Sequence, residues 1–287
     1  MLALDRPRRV RGRFALWMIV SLSLAACGPA SPTAVPQQTA SPPRAADAKP
    51  TVREVRVAAA ADLKFALPDL IVEFSHAHPE IQVTATYGSS GNLYAQLSHG
   101  APFDLFLSAD IEYARRLVEQ GDALGESEFS YGLGRLVVWT PRDSQLDVAA
   151  RGLELLTDPA VRTIAIANPQ HAPYGRAAVA AMTQAGVYDQ VVSRLVLGDN
   201  IAQAAQFVES GNAEVGIIAL SIAVAPTLRE KGRYFTIPLE EHPPILQGGV
   251  IASEARDLAA AQEFRQFLRG PTARGIFSQF GFVLPEE

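Results

Sequence analysis

The stretch Tyr87–Asp110, YGSSGNLYAQLSHGAPFDLFLSAD, limits the choice of fold more than any other part of the chain. A strand ends at Tyr87, and a turn of small and hydroxyl residues follows at Gly88, Ser89, Ser90 and Gly91. The spacing of Leu93 and Leu97 predicts a helix from near Asn92, and DLFLSAD after Gly100 and Pro102 reads as a buried strand. The N–H groups that open such a helix have no intrahelical acceptor and carry partial positive charge. With short hydroxyls beside them they form a ready anion site. Simple helix capping uses the same residues, and both readings stand at this point.

The surrounding chain supplies the context. Val55–Ala60 reads as a strand, and Leu63, Ala66, Leu67, Leu70, Ile71 and Phe74 share one helical face. Pro68 inside that series predicts a kink or a separate first turn. Ile81–Tyr87 is the second strand, and Ile111, Ala114, Leu117 and Val118 mark a helix capped by Asp110 and stopped by Gly121. A βαβαβα order places parallel strands under helices on both faces. A second α/β unit follows, with strands at 136–139, 163–167, 215–219 and 234–237 and helices at 153–156, 174–185 and from Ile201 to Gly211. A strand near 249–252 and helices at 257–269 and 271–280 close the chain. Ligands of open α/β sheets bind beyond the carboxyl ends of strands. Here those ends lead into Ala61-Asp62, Gly88–Gly91, Asn168–Gly175 and Gly198-Asp199-Asn200.

At 287 residues and 48% hydrophobic composition the chain can bury one large core or two smaller ones. A net charge of −5, with no basic run in the folded part, gives no reason to expect nucleic acid. Arg6, Arg8, Arg9, Arg11 and Arg13 precede an apolar run, Phe14–Ala26, too short to span a bilayer but of the right length for a signal-peptide core. It ends in Leu24-Ala25-Ala26-Cys27, which resembles the lipobox of bacterial lipoproteins, with Cys27 as the lipid-attachment residue. Cys27 is the only cysteine, so an internal disulfide is excluded. Residues 28–52 are rich in Pro, Ala, Ser and Thr without apolar periodicity, and read as a disordered tether.

Five stretches, VAAAADL, YGSSGNLYAQL, GAPFDLFLSAD, ANPQHAPYGRAA and EVGII, with the closing GPTARGIFSQFGFVLP, resemble the extracytoplasmic molybdate-binding proteins of ABC importers. The resemblance covers about Val55 to Val283. It implies a two-lobe periplasmic-binding-protein-like α/β fold, each lobe a mostly parallel sheet flanked by helices, joined by two hinge crossings. Lobe one is expected at 53–133 and 246–287, lobe two at 134–245. It further implies that a tetrahedral dianion is held by backbone N–H groups, hydroxyls and helix starts, without protein countercharge.

Carried over position by position, the resemblance assigns ligand contacts to Ser90 with Ser89 beside it, to the backbone of Tyr174 within Pro173-Tyr174-Gly175, and to Ile201 at a helix start. Two positions depart from the family pattern. Asp62 stands where the family has a serine, and Ala219 where it has a tyrosine. Two unit charges ~4 Å apart at an effective dielectric of ~20 interact by about 4 kcal/mol, so an ionised Asp62 against a dianion costs on the order of 8 kcal/mol. Either Asp62 caps its own helix, or it is protonated and donates, or the ligand carries the proton. Tyr174 can replace the missing phenol if its hydroxyl reaches the cleft. His76 and His78 read as a solvated helix end, His171 as a brace for its turn, and Lys64 as a surface lysine.

No enzyme is read from these residues. Gly88–Gly91 is not a GxSxG elbow, lacks the GK[ST] ending of a phosphate loop, and no histidine lies in a motif that activates either serine. The sequence thus reads as a monomeric, lipid-anchored extracytoplasmic receptor. It uses no cofactor or metal, captures an oxyanion (molybdate or tungstate) and delivers it to ABC permease subunits. The alternative is a receptor for a different or protonated oxyanion, or another small ligand, serving signalling instead of import.

Overall fold

The computed structural model describes residues 53–284. The expected signal peptide, the expected lipid-attachment residue Cys27 and the expected tether of residues 28–52 lie outside the described residues. β1 (Arg53–Ala60) runs into a 3-10 turn, Ala61–Leu63, before α1 (Ala66–Ala77). Pro68 sits in the first turn of α1, where a missing N–H breaks no intrahelical bond, so the apolar series splits into two helical pieces. β2 (Ile81–Gly88) leads to α2 (Ser90–Ser98), which starts two residues earlier than the leucine spacing predicts. The reason is the cap: Ser89 accepts from the Asn92 N–H and so sets the helix start. β3 (Leu105–Ser108) and α3 (Ile111–Gln120) follow, α3 capped by Asp110 and ended by Gly121 at φ 81°.

β4 (Phe129–Gly134) then returns to the first sheet before β5 (Leu136–Pro141) opens the second. The second half continues through α4 (Val148–Arg151), β6 (Ile164–Ala167), α5 (Pro173–Gln184), α6 (Tyr188–Val191) and β7 (Leu195–Gly198). It is completed by α7 (Ile201–Glu209), β8 (Val215–Ala219), α8 (Leu220–Ala223) and β9 (Gly232–Thr236). β10 (Ile245–Ile251) carries the chain back, and α9 (Leu258–Arg269) and α10 (Pro271–Gln279) close it. The chain therefore crosses between its halves twice, at Gly134–Leu136 and between Thr236 and Ile245.

The two five-stranded sheets run β2-β1-β3-β10-β4 and β7-β6-β8-β5-β9. In each, strands joined through helices pair in parallel, whereas the strands that carry the crossings pair antiparallel. The sheets are thus mixed, parallel on one side and antiparallel on the other. β10 has a register shift between Gln247 and Gly248, a bulge of the kind that re-aims a side chain. Buried Asp104 fastens β1 to the end of β10, accepting from the N–H and guanidinium of Arg56 and from the Arg256 N–H.

The first sheet is covered by Leu63, Leu67, Leu70, Phe74, Phe264 and Phe277 on one face and by Leu93, Leu97, Phe106 and Leu117 on the other. The core around the second sheet continues across the junction to Ala60, Ala61 and Ala109. His78 departs from the solvated reading. It stacks on Phe74 with ring centres 4.5 Å apart, and its Nδ1 lies 3.1 Å from Glu263 Oε2 and 3.8 Å from Glu80 Oε1. Among the described residues no helix is long and apolar enough to cross a membrane.

Candidate functional site

Three helix starts and the turn after β1 converge on one small cavity between the lobes. From the first lobe it is lined by Ala60, Ala61, Asp62, Gly88, Ser89, Ser90 and Ala109, and from the second by Ala172, Pro173, Tyr174, Asn200 and Ile201. Asp62, Ser89, Ser90, Tyr174 and Ile201, scattered over 140 residues of sequence, are therefore brought to the wall of a single cavity. No lysine or arginine is among the lining residues.

Local sequence explains what each helix start offers. In α7 the side chain of Asn200 accepts from the N–H groups of Ala202 and Gln203, which leaves the Ile201 N–H outside the cap. In α5, Pro173 at the first position has no N–H, and the carbonyl of Ala172 takes those of Gly175 and Arg176, which leaves that of Tyr174. In α2 the Asn92 N–H goes to Ser89 Oγ and the Gly91 N–H to the carbonyl of His171, which leaves that of Ser90. Helix geometry gives none of these three leftover groups an internal acceptor. Ser90 Oγ accepts from the Ala109 N–H at 2.9 Å, so its own hydrogen is free to donate elsewhere.

Asp62 does not cap its helix. Ala60 holds the cap position, without a side-chain bond, and Asp62 lies within the 3-10 turn, fully buried. Its Oδ2 accepts from the Tyr174 hydroxyl at 3.0 Å and from Gln247 Nε2 at 2.6 Å, and Gln247 Nε2 also donates to the Tyr174 oxygen at 2.9 Å. The Asp62 carbonyl accepts from Ser221 Oγ at 2.8 Å. Oδ1 of Asp62 and Oε1 of Gln247 are buried and have no partner. Burial pushes the Asp62 carboxyl up to about 6, against the donors from Gln247, Tyr174 and its own backbone, which favour the charged form. The network is tight against the first crossing, because a Cβ on Gly134 would lie 2.2 Å from the Tyr174 oxygen and 2.6 Å from Gln247 Nε2.

The second lobe closes over the first through further bonds. Ser89 Oγ lies 2.8 Å from His171 Nδ1, the Gly91 N–H donates to the His171 carbonyl at 2.9 Å, and Asn92 Nδ2 donates to Asp199 Oδ1 at 3.1 Å. Arg176 Nη2 donates to Asp110 Oδ2 at 2.7 Å. His171 thus braces more than its own turn: it ties the two lobes together, and it places a histidine on Ser89 that the sequence motifs do not suggest. The Ser89–His171 pair lacks the buried carboxylate that orients the base in a catalytic triad. The carboxylate beyond the ring, Asp199, is mostly exposed and lies 3.9 Å from Nε2, and Ser89 Oγ is already the cap of α2. Lys64 is exposed, with its Nζ over the Phe65 ring.

Gln247 and Ser221 were not foreseen as site residues. The signal for Gln247 was present, as a lone amide inside the apolar run ILQGGVI, but only the bulge directs it inward. Ala219, where the family resemblance expects a tyrosine, is buried at the end of β8, and the phenol in this part of the site comes from Tyr174.

The chain matches the bacterial extracellular solute-binding protein family over residues 55–283. It is 38% identical over 201 residues to the molybdate-binding protein ModA of Rhodobacter capsulatus, an alignment covering 70% of this chain and 77% of that protein. To the molybdate-binding protein ModA of Azotobacter vinelandii it is 35% identical over 231 residues, covering 80% and 90% respectively. The solved periplasmic molybdate-binding protein of Azotobacter vinelandii superposes with a TM-score of 0.76 at 33% identity, covering 81% of this chain and 100% of that one.

Proposed function

The chain belongs to the bacterial extracellular solute-binding proteins, and from that premise we propose that it captures a tetrahedral oxyanion, molybdate or tungstate, and delivers it to an ABC permease. It performs no chemistry on the ligand. The observation that carries this reading is the cavity itself, small and built from the starts of α2, α5 and α7 with no cationic side chain in its lining. Such a site neutralises an anion with fixed peptide dipoles and hydroxyl donors. We assign the ligand contacts to the N–H groups of Ser90, Tyr174 and Ile201 and to the hydroxyls of Ser89 and Ser90, with Asp62 beside them. The described form is the closed one, and release opens it about the two crossings, at Gly134–Leu136 and 237–244. The two crossings support a division close to lobe one at 53–133 and 246–287 and lobe two at 134–245, with Gly134 and Ile245 pairing in the first sheet. We take the receptor to be a monomer; outside the described residues, the lipobox-like Leu24–Cys27 supports a lipid anchor at Cys27, with residues 28–52 as its tether.

Magnitudes decide how Asp62 fits. An ionised Asp62 ~4 Å from a dianion costs on the order of 8 kcal/mol at a dielectric of ~20. Protonating a carboxyl pushed up to about 6 costs, at pH 7, only about 1 kcal/mol. Neutral Asp62 is therefore compatible with a bound dianion, and charged Asp62 is not.

A thermal-shift panel with molybdate, tungstate, sulfate, phosphate and simple organic anions at two pH values tests the reading. A ligand at a hundredfold excess over its Kd stabilises the closed form by about 2.7 kcal/mol, which is roughly 5 to 10 °C for a chain of this size. Molybdate and tungstate should give that shift. No shift with either, together with a shift from another anion, would reject the assignment.

A further inference from the structure

Within the cavity wall, Asp62 is the only ionisable carboxylate, and its two oxygens are not equivalent. Oδ2 is filled by the donors Tyr174 and Gln247, whereas Oδ1 is buried without a partner. Among the described residues no cation forms an ion pair with Asp62. We propose that each oxyanion dianion captured brings one proton with it from solvent, held on Oδ1 of Asp62, so that uptake of the ligand is proton-linked in this protein. This inference rests on the oxyanion-receptor reading above. The only covalent change is formation of the Oδ1–H bond, and the protein–ligand complex then carries one negative charge less than the sum of its parts. Protonated Oδ1 becomes a donor at the wall, which suits a ligand whose oxygens are all acceptors.

Groups facing Asp62 from each packed element do not supply the proton. Tyr174 on α5 and Tyr131 on β4 have hydroxyls held well above the ordinary phenol range by burial, with the Asp62 charge adding to it. Tyr131 donates to the Ser108 carbonyl, and Tyr87 at the end of β2 is pushed up to about 12 by burial. Gln247 on β10 and Ser221 on α8 do not titrate. Of the nearby cations, Arg176 is paired with Asp110, Lys64 sits over Phe65, and Arg135 lies at the first crossing with its Nε buried and unpartnered. His171, whose Nδ1 lies 2.8 Å from Ser89 Oγ, defines the control.

The test is calorimetric titration of the full chain with molybdate from pH 6 to 9, in buffers of different ionisation enthalpy. With the empty-site carboxyl at about 6 and the occupied one higher, affinity should be flat below about pH 6 and fall about tenfold per pH unit above it. One proton should be taken up per molybdate at pH 8. Asp62→Asn should abolish both the slope and the uptake, and His171→Gln should keep both. The wild-type proton count stands even if a variant folds poorly. A pH-independent wild-type affinity with no proton uptake would overturn the inference and leave the receptor reading intact. So would a slope that survives Asp62→Asn and vanishes in His171→Gln. Failure of molybdate to bind at every pH would overturn the receptor reading and this inference with it.

Discussion

Asp62 is a buried carboxyl to which the fold offers two hydrogen bonds and, among the described residues, no cation, and that combination makes stability depend on pH in an unusual direction. A carboxyl raised from 3.8 to about 6 binds its proton more tightly folded than unfolded. Its contribution is therefore fully present below pH ~4 and lost as pH rises through about 6, a change of about 3 kcal/mol. Asp62→Asn should stabilise the empty protein by up to that amount at pH 7.5 and by nothing at pH 4, read from urea unfolding at both values. Tyr174→Phe removes a donor to the ionised oxygen and should cost about 2 kcal/mol at pH 7.5, while moving the Asp62 titration further up. An unchanged titration in that variant would place the hydroxyl elsewhere. At this scale much could be read in advance. Ser89, Ser90, Tyr174 and Ile201, singled out by turn chemistry and family resemblance, and Asp62, singled out by its charge, all line the one cavity. The capping role of Asp62 was wrong because a 3-10 turn leaves the carboxylate pointing at Tyr174, and no local rule states that. Gln247 escaped because its orientation depends on pairing between strands more than a hundred residues apart.

Among the elements, the start of α2 is where the lobes meet most closely. A Cβ on Gly91 would come within 2.6 Å of the His171 carbonyl oxygen, so only glycine lets the helix start approach the second lobe. Gly91→Ala should leave the stability of the empty protein nearly unchanged, because the opened form has room for the methyl. It should weaken oxyanion binding at least tenfold, measured by titration calorimetry beside a urea melt. A large loss of stability with intact affinity would mean that this contact is part of the fold, not of closure. The elements with strong periodicity (α1, α3, α7, β8) were readable as they stand. β4 was hidden by Gly132 and Gly134 in FSYGLG, and the first half of β10 by Pro243 and Pro244 just before it. Both are crossing strands, whose pairing is set by the return of the chain from the second lobe. That is also why the sheets are mixed where βα alternation alone implies parallel pairing.

For the whole molecule, the lobes are drawn together around a small cavity by polar contacts and by the apolar junction at Ala60, Ala61 and Ala109, which suits a receptor that must open again. Inter-lobe surfaces of this kind permit domain motion. Small-angle scattering should show a smaller radius of gyration with molybdate than without, at a pH where Asp62 is protonated. An unchanged radius in the presence of saturating ligand would argue against hinge closure. The account's central claim, that peptide N–H groups from both lobes enclose one tetrahedral dianion with no cation beside it, is tested most directly by locating the guest. A crystal grown with tungstate, analysed by anomalous scattering from tungsten, should show one site in the cavity, in hydrogen-bond reach of Ser90 on one side and Tyr174 and Ile201 on the other. Tungsten bound outside that cavity, or beside a lysine or arginine, would contradict it.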